Sequence, residues 1–371
     1  MHRLLSRFSV ATMFVSFFLA ATTNSHGQSP LRVAIIGLVH GHVHGFLDQA
    51  LHSPVIEIVA VVEPDRQLLS QNAAHYGFDQ RILFSDLEEM LQKTHPQAVL
   101  VYTSTFDHRR VVEVCARHGV HVMMEKPLAV SLDDALAIAK AAHAGKILVL
   151  VNYETSWYPS NRAAYDLVHD HALGEIRKVV VHDGHKGPKE INVEPEFLAW
   201  LTDPKLDGGG ALFDFGCYGA DLMTWLMDGQ RPLTLTAVTQ QIKPDIYPRV
   251  DDEATIILTY AKAQAIIQAS WNWPFDRKDM EVYGQTGSAI TVRRNDIRVR
   301  RSGDKDEEQI TAKALPAPYD NSLSYIRAVL MDGANPDVLS SLETNVTVVE
   351  ILDAARRSAA SGKTIPLPEA R

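Results

Sequence analysis

Between Leu31 and Val151 one pattern repeats: a short apolar run, a turn, then a stretch of helical length. The runs are Leu31–Ile36, Val55–Val62, Ala98–Tyr102, Val120–Met124 and Ile147–Val151. Apolar runs this short and this continuous read as strands buried on both faces. Strands separated by helices imply right-handed crossovers, and so a parallel sheet covered on both sides. Two helix starts are legible. Ser85-Asp-Leu-Glu88 has the spacing of a capping box, and Ser131-Leu-Asp-Asp134 opens an alanine-rich helix that stops at Gly145. Residues 31–151 are therefore expected to form a doubly wound domain of Rossmann type.

The texture then changes. Leu233–Ile242, Ala254–Tyr260, Ala265–Trp271, Met280–Tyr283 and Ser288–Val292 interleave apolar with polar residues and are joined by close turns. Such alternation predicts a mostly antiparallel open sheet with one face against helices. Helices are expected at Ser160–Asp170, Gly210–Met227, Ser322–Met331 and Leu342–Ser361, and a solvated hairpin tip at Arg301–Glu308. The expected architecture is α/β: a Rossmann domain, then an α+β domain over residues 152–371.

Residues 1–27 read as a signal peptide. Arg3 and Arg7 precede the nearly uncharged run Phe8–Ala21, and Ser25-His26-Gly27 offers a cleavage site before Gln28. An uncleaved anchor is the alternative, although the run is short for a membrane span. No other stretch is long and apolar enough to span a bilayer, so export to the periplasm or exterior, with no membrane attachment after cleavage, is expected. The net charge of −9 becomes −11 without Arg3 and Arg7. That balance argues against a nucleic-acid partner, which calls for a basic face. Cys115 and Cys217 have no zinc-like spacing and read as small buried apolar residues.

The first strand runs into Gly37-Leu-Val-His-Gly-His-Val-His-Gly45. A glycine at a strand end, followed by a helix N-terminus, is a cradle for a pyrophosphate. The fit to G-x-G-x-x-G is imperfect, because Val39 stands where the second glycine is expected and Gly41 comes one residue early. Glu63 ends the second strand about 25 residues on, where a carboxylate can accept the ribose hydroxyls and repel a 2′-phosphate. NAD is expected over NADP, with Asp65 as the fallback acceptor. His40, His42 and His44 invite a metal reading, but no carboxylate stands near them in the sequence, and a polar loop touching cofactor is preferred.

Three further segments carry a resemblance. Glu125-Lys126-Pro127 follows a strand; Gly209-Gly-Ala-Leu-Phe-Asp214 leads to Tyr218; Thr103-Ser104 precedes His108. With Val250-Asp-Asp-Glu and Val282-Tyr-Gly-Gln-Thr-Gly287, this set resembles the Gfo/Idh/MocA oxidoreductases from Leu31 to Leu367. Ser104 departs from that family's usual proline, and Tyr218 from its more common histidine. The resemblance implies that Lys126, Asp214 and Tyr218 share a cleft with the nicotinamide and the substrate hydroxyl, and that Glu125 lies near the nicotinamide ribose. Gly37, Val39, His40, Gly41, His42, Glu63, Thr103, Ser104, His108, Glu125 and Lys126 would then hold the cofactor. Lys126, with a depressed pKa, would act as base or lower the pKa of Tyr218 so that the phenol does so. The family also implies a homo-oligomer formed through the second sheet.

These readings converge on an exported enzyme moving hydride between a tightly held NAD and a sugar, polyol or related cyclic alcohol. Two alternatives stay open: a glycosidase or lyase using transient oxidation, and a non-catalytic sugar-binding protein on the same scaffold.

Overall fold

The computed structural model describes residues 29–367. The expected signal peptide lies outside the described residues. The first domain runs β1 (Leu31–Ile36), α1 (His42–Ala50), β2 (Ile56–Val62), α2 (Arg66–Tyr76), β3 (Leu83–Phe84), α3 (Leu87–Thr94), β4 (Ala98–Val101), α4 (His108–His118), β5 (His121–Glu125), α5 (Leu132–Gly145) and β6 (Val149–Asn152). Its six strands are all parallel, in the order β3-β2-β1-β4-β5-β6. The order reverses between β1 and β4, and the crevice at such a switch point is where doubly wound sheets bind ligands. β3 has only two residues and carries no apolar run long enough to be read from sequence.

The second domain continues with α6 (Pro159–His169), β7 (Ile176–Gly184), α7 (Pro195–Leu201), α8 (Ala211–Asp214), α9 (Gly216–Leu226), β8 (Thr234–Gln240), β9 (Glu253–Thr259) and β10 (Gln264–Ser270). It ends with β11 (Arg277–Gly284), β12 (Gly287–Thr291), β13 (Asp296–Arg301), β14 (Glu308–Thr311), α10 (Ser322–Met331), α11 (Leu342–Ser361) and β15 (Ile365–Pro366). The nine strands form one sheet, β14-β13-β12-β11-β7-β10-β9-β8-β15, in which only β7 and β10 are parallel. Strand alternation buries Val179, Val181, Ile256, Leu258, Ala265, Ile267, Met280 and Val282 on the face that meets α9 and its neighbours. One core cluster passes from this face, through α9 and α11, to the α5 side of the first sheet. α10 leaves the second domain and packs Leu323, Ile326 and Val329 against the opposite face of the first sheet.

Two local expectations need correction. The α3 cap is Asp86, not Ser85: its carboxylate accepts the Glu89 N–H at 2.8 Å. The aspartate one position later offers the stronger acceptor. The single helix expected over Gly210–Met227 is broken at Phe215 into α8 and α9. Asp214 and Tyr218 therefore sit on two helices and do not share one uninterrupted face. Asp251, from the Val250-Asp-Asp-Glu segment, sets the start of α8 by accepting Gly210 N–H at 3.2 Å and Leu212 N–H at 2.7 Å. Cys115 and Cys217 are buried and free, as expected.

Candidate active site

The phosphate loop follows from β1. Gly37 has φ +83°, and a Cβ there would stand 2.7 Å from Thr103 Cγ2 and 2.8 Å from both Thr103 N and Tyr102 O. Only glycine lets β1 turn this close to the end of β4. Glu63 is buried at the end of β2; its carboxylate accepts the Leu38 N–H at 2.8 Å and the Asp65 N–H at 2.9 Å. It therefore fixes the loop as well as lining the crevice, and burial raises its pKa. Gly37, Val39, Glu63, Thr103, Asp107 and Arg110 line a cavity of about 180 Å³ there. Asp65, the fallback acceptor, is used otherwise: it caps α2 through Gln67 N–H and Leu68 N–H at 2.8 and 3.2 Å. Ser104 is buried and donates to Asp107 at 2.7 Å.

The histidines separate. His44 turns to the Tyr76 hydroxyl at 2.9 Å. His40 is buried, kept neutral by that burial, and its Nδ1 accepts the His42 N–H at 3.2 Å. His42 Nδ1 meets Glu125 Oε2 at 3.0 Å, and Glu125 Oε1 accepts from Asn152 at 2.9 Å. Folding thus supplies the carboxylate that the local sequence lacks. Ligand atoms of His40, His42 and Glu125 lie within 4.8 Å of one another, a grouping able to hold a metal ion. Each of the three already has a partner within the protein.

His108 donates Nδ1–H toward the Pro127 and Leu128 carbonyls at 3.2 and 3.3 Å. Burial pushes its pKa down to about 4, so the ring is neutral, and its Nε2 is buried without a partner. A loop that only glycine can form and a carboxylate at the end of β2 both fit a dinucleotide.

The reaction centre joins the domains. Lys126 follows β5 and is 5% exposed; Nζ lies 2.5 Å from Asp214 Oδ1 and 3.0 Å from the Asp214 carbonyl. The second carboxylate oxygen accepts from Trp271 Nε1 at 2.9 Å, and Trp271 is fully buried. Burial opposes the charge on Lys126, but the Asp214 carboxylate outweighs it and the pKa is raised. Burial likewise opposes the charge on Asp214, and the ammonium holds that carboxyl below its ordinary value. The expected depressed lysine pKa is therefore corrected: Asp214 raises it and keeps the amine charged. Tyr218 is 1% exposed, and burial raises its phenol well above 10.0. Two ammonium groups approach its ring, Lys126 Nζ at 5.3 Å and Lys278 Nζ at 4.9 Å from the centroid. Asp221 does not join the cleft; it is fully buried, both its oxygens lack partners, and the charged group acting on it is Asp337.

Beyond this centre a cavity of about 630 Å³ opens, lined by Glu154, Tyr158, His185, Phe215, Phe275 and Lys278 among others. Lys278 pairs with Glu154, which also accepts from the Tyr158 hydroxyl at 2.5 Å. The segments 152–159, 182–195 and 271–275 all contribute to its wall. Sequence reasoning missed Lys278 and Glu154. They are single charged residues outside any motif, and only the fold brings them together at this cavity. Trp157 and Trp271 are buried by packing rather than free to stack on a ring.

Both halves match models of one family. Residues 31–153 match the oxidoreductase family with an NAD-binding Rossmann fold (GFO_IDH_MocA), and residues 161–290 match the GFO/IDH/MocA C-terminal domain. The chain belongs to the GFO/IDH/MocA oxidoreductase family. A trans-1,2-dihydrobenzene-1,2-diol dehydrogenase of Xenopus tropicalis is 24% identical over 221 residues, covering 58% of this chain and 61% of that protein's length. An NADP(+)-dependent scyllo-inositol 2-dehydrogenase of Bacillus subtilis is 20% identical, covering 91% of this chain and 96% of its own. The inositol dehydrogenase homologue of Azotobacter vinelandii complexed with NAD+ shares the fold at TM-score 0.79 and 19% identity, covering 92% of this chain and 98% of that one. An aldose-aldose oxidoreductase of Caulobacter crescentus does so at TM-score 0.77 and 22% identity, covering 91% and 100%.

Proposed function

We propose that this family member is exported and moves a hydride between a tightly held NAD and a sugar, polyol or related cyclic alcohol. The buried Lys126–Asp214 pair, which joins the segment after β5 to α8, carries the reading. When bound, the nicotinamide would supply or take up the hydride at the carbinol carbon, and in its oxidised form would bring a positive charge to the cleft. Lys126 donates a hydrogen bond to the reacting oxygen and stabilises it as an alkoxide. Asp214, held in turn by Trp271, fixes that ammonium in place. Lys126 and Tyr218 both hold their protons, which fits carbonyl reduction: Tyr218, its ring approached by two ammonium groups, gives its phenol proton to the oxygen as the hydride arrives, and alcohol oxidation is the same step reversed, starting from the phenolate. Glu63 favours NAD over NADP, since a 2′-phosphate would meet its carboxylate. On the open face of the second sheet, Ile257, Ile266, Val180 and Ile290 lie along one half-buried row, which supports a homo-oligomer through that face.

Tight retention has a physical source in α7, which straps the phosphate loop. Trp200 Nε1 donates to the Val39 carbonyl at 3.1 Å, Phe197 stacks on His40 at 4.5 Å, and a side chain at Gly41 would strike Glu194 Oε2 at 2.5 Å. Trp200→Ala is expected to speed NAD release by about 10- to 100-fold, read by stopped-flow NADH fluorescence. An unchanged release rate would remove the strap from the account.

The test of the whole reading is a mass spectrum of whatever small molecule leaves the denatured protein, followed by sugar-dependent NADH fluorescence. Nitrophenyl glycosides cleaved without net NADH would favour redox-assisted glycoside cleavage instead.

A further inference from the structure

Asp183 is the penultimate residue of β7 and continues the alternation Val179, Val181, so it faces the helices of the second domain. It is 1% exposed, and neither carboxylate oxygen has a hydrogen-bond partner. Its neighbours across the sheet are Ala269 on β10 and Lys278 on β11. Ala269 is too short to fill the space beside it. Lys278 shares its face, but its amine turns to Glu154 and lies over the Tyr218 ring. Lys126, the other nearby cation, is taken by Asp214. Gly184, next in the chain, lines the 630 Å³ cavity together with Lys278 and Glu154. Both cations that could neutralise Asp183 are thus committed elsewhere, at the edge of the substrate space.

A buried carboxyl with no partner is costly in a free protein. Burial pushes its pKa well above the ordinary carboxyl value, with Lys278 pulling the other way. Asp221 is equally bare, and what sets Asp183 apart is its place beside Gly184 and Lys278, both of which line the 630 Å³ cavity. As a carboxylate it accepts from two hydroxyls; protonated, it donates to one and accepts from another. Glu154 and Asp279 stand near Asp183 as Lys278 and Lys126 do, so charges of both signs surround it, and its own contribution to recognition is hydrogen bonding to hydroxyls.

We propose that Asp183 is a substrate-recognition residue that engages two neighbouring hydroxyls of a ring polyol, next to Tyr218 and Lys278. The inference rests on the oxidoreductase reading of the same site and names the part of the substrate that Asp183 meets.

Asp183→Val extends the apolar alternation of β7, and Asp183→Asn keeps the shape without the charge. In the ligand-free protein, both variants should melt at the wild-type temperature or above it, because an unpaired carboxyl has been removed. With NAD bound, half-saturation by myo-inositol, D-glucose or D-xylose should rise by about 10- to 100-fold, more for Val than for Asn. NADH affinity should not change. A melting temperature lowered in both variants, with half-saturation intact, would make Asp183 a structural carboxyl and overturn the proposal. A wild-type holoprotein that responds to no ring polyol in that panel also overturns it. Failure to bind NADH at all would instead sink the oxidoreductase reading; calorimetric titration of the same polyols into the cofactor-free protein and its two variants would then decide the role of Asp183 alone.

Discussion

Lys126→Met is expected to lower kcat by about 10³- to 10⁴-fold while leaving NADH binding within a few-fold of wild type. The variant removes the ammonium proposed to meet the reacting oxygen, and the methionine keeps the stem's packing. It also strands Asp214, which is 6% exposed and keeps only the Trp271 N–H. Breaking one side of a buried pair costs about 3–5 kcal/mol, so the melting temperature should fall as well. A second substitution separates the two effects. Lys126→Met with Asp214→Leu removes both charges and should recover most of the stability by calorimetry, but none of the turnover. A double variant that regained activity would remove Lys126 from the chemistry.

The same pair sets a pH expectation. Asp214 is held below its ordinary value, so its contribution is present above about pH 3.9 and is lost only as pH falls through the lower folded value. Lys126 is raised, so its contribution is present below about pH 10.4 and is lost only as pH rises through the higher folded value. Neither group should add a bend to the kcat/KM profile of the free enzyme between those limits. A lysine titrating near neutrality would contradict the pairing.

Gly37→Ala should abolish cofactor binding, with NADH affinity weakened more than about 100-fold and stability reduced by about 2–4 kcal/mol. The added Cβ would be forced into a left-handed backbone and against three atoms at the end of β4. Two of those atoms are backbone, Thr103 N and Tyr102 O, so trimming Thr103 should not rescue the variant. The damage would spread because the loop is pinned on both sides, by Gly37 N–H to Val62 O at 2.8 Å and His40 N–H to Tyr102 O at 3.1 Å. Fluorescence titration and thermal melting read the two effects separately. Val39, by contrast, is partly exposed along the cavity wall, and the departure from a second glycine there leaves the loop's hydrogen bonds intact.

Local patterns were enough for most elements. α10 and α11 occupy the expected Ser322–Met331 and Leu342–Ser361, and Ser131 caps α5 through the Asp134 N–H at 3.2 Å. Periodicity and capping depend on neighbours within a few residues, so they can be read along the chain. The two-residue β3 and the break at Phe215 could not be, since each depends on what packs above it.

The sequence by itself determined the two-domain order and the glycine-turn loop, and its resemblance to the family picked out Lys126, Asp214 and Tyr218 as candidates, because each sits in a motif with fixed spacing. Tertiary structure alone decided the protonation of Lys126, the second lysine beside Tyr218, the meeting of His42 with Glu125 and the bare carboxyl of Asp183. Those outcomes depend on charge, burial and distance between residues far apart in the chain: 88 positions for Lys126 and Asp214, and 83 for His42 and Glu125. Electrostatic energy follows separation in space and the loss of surrounding water, and neither is written in the order of residues.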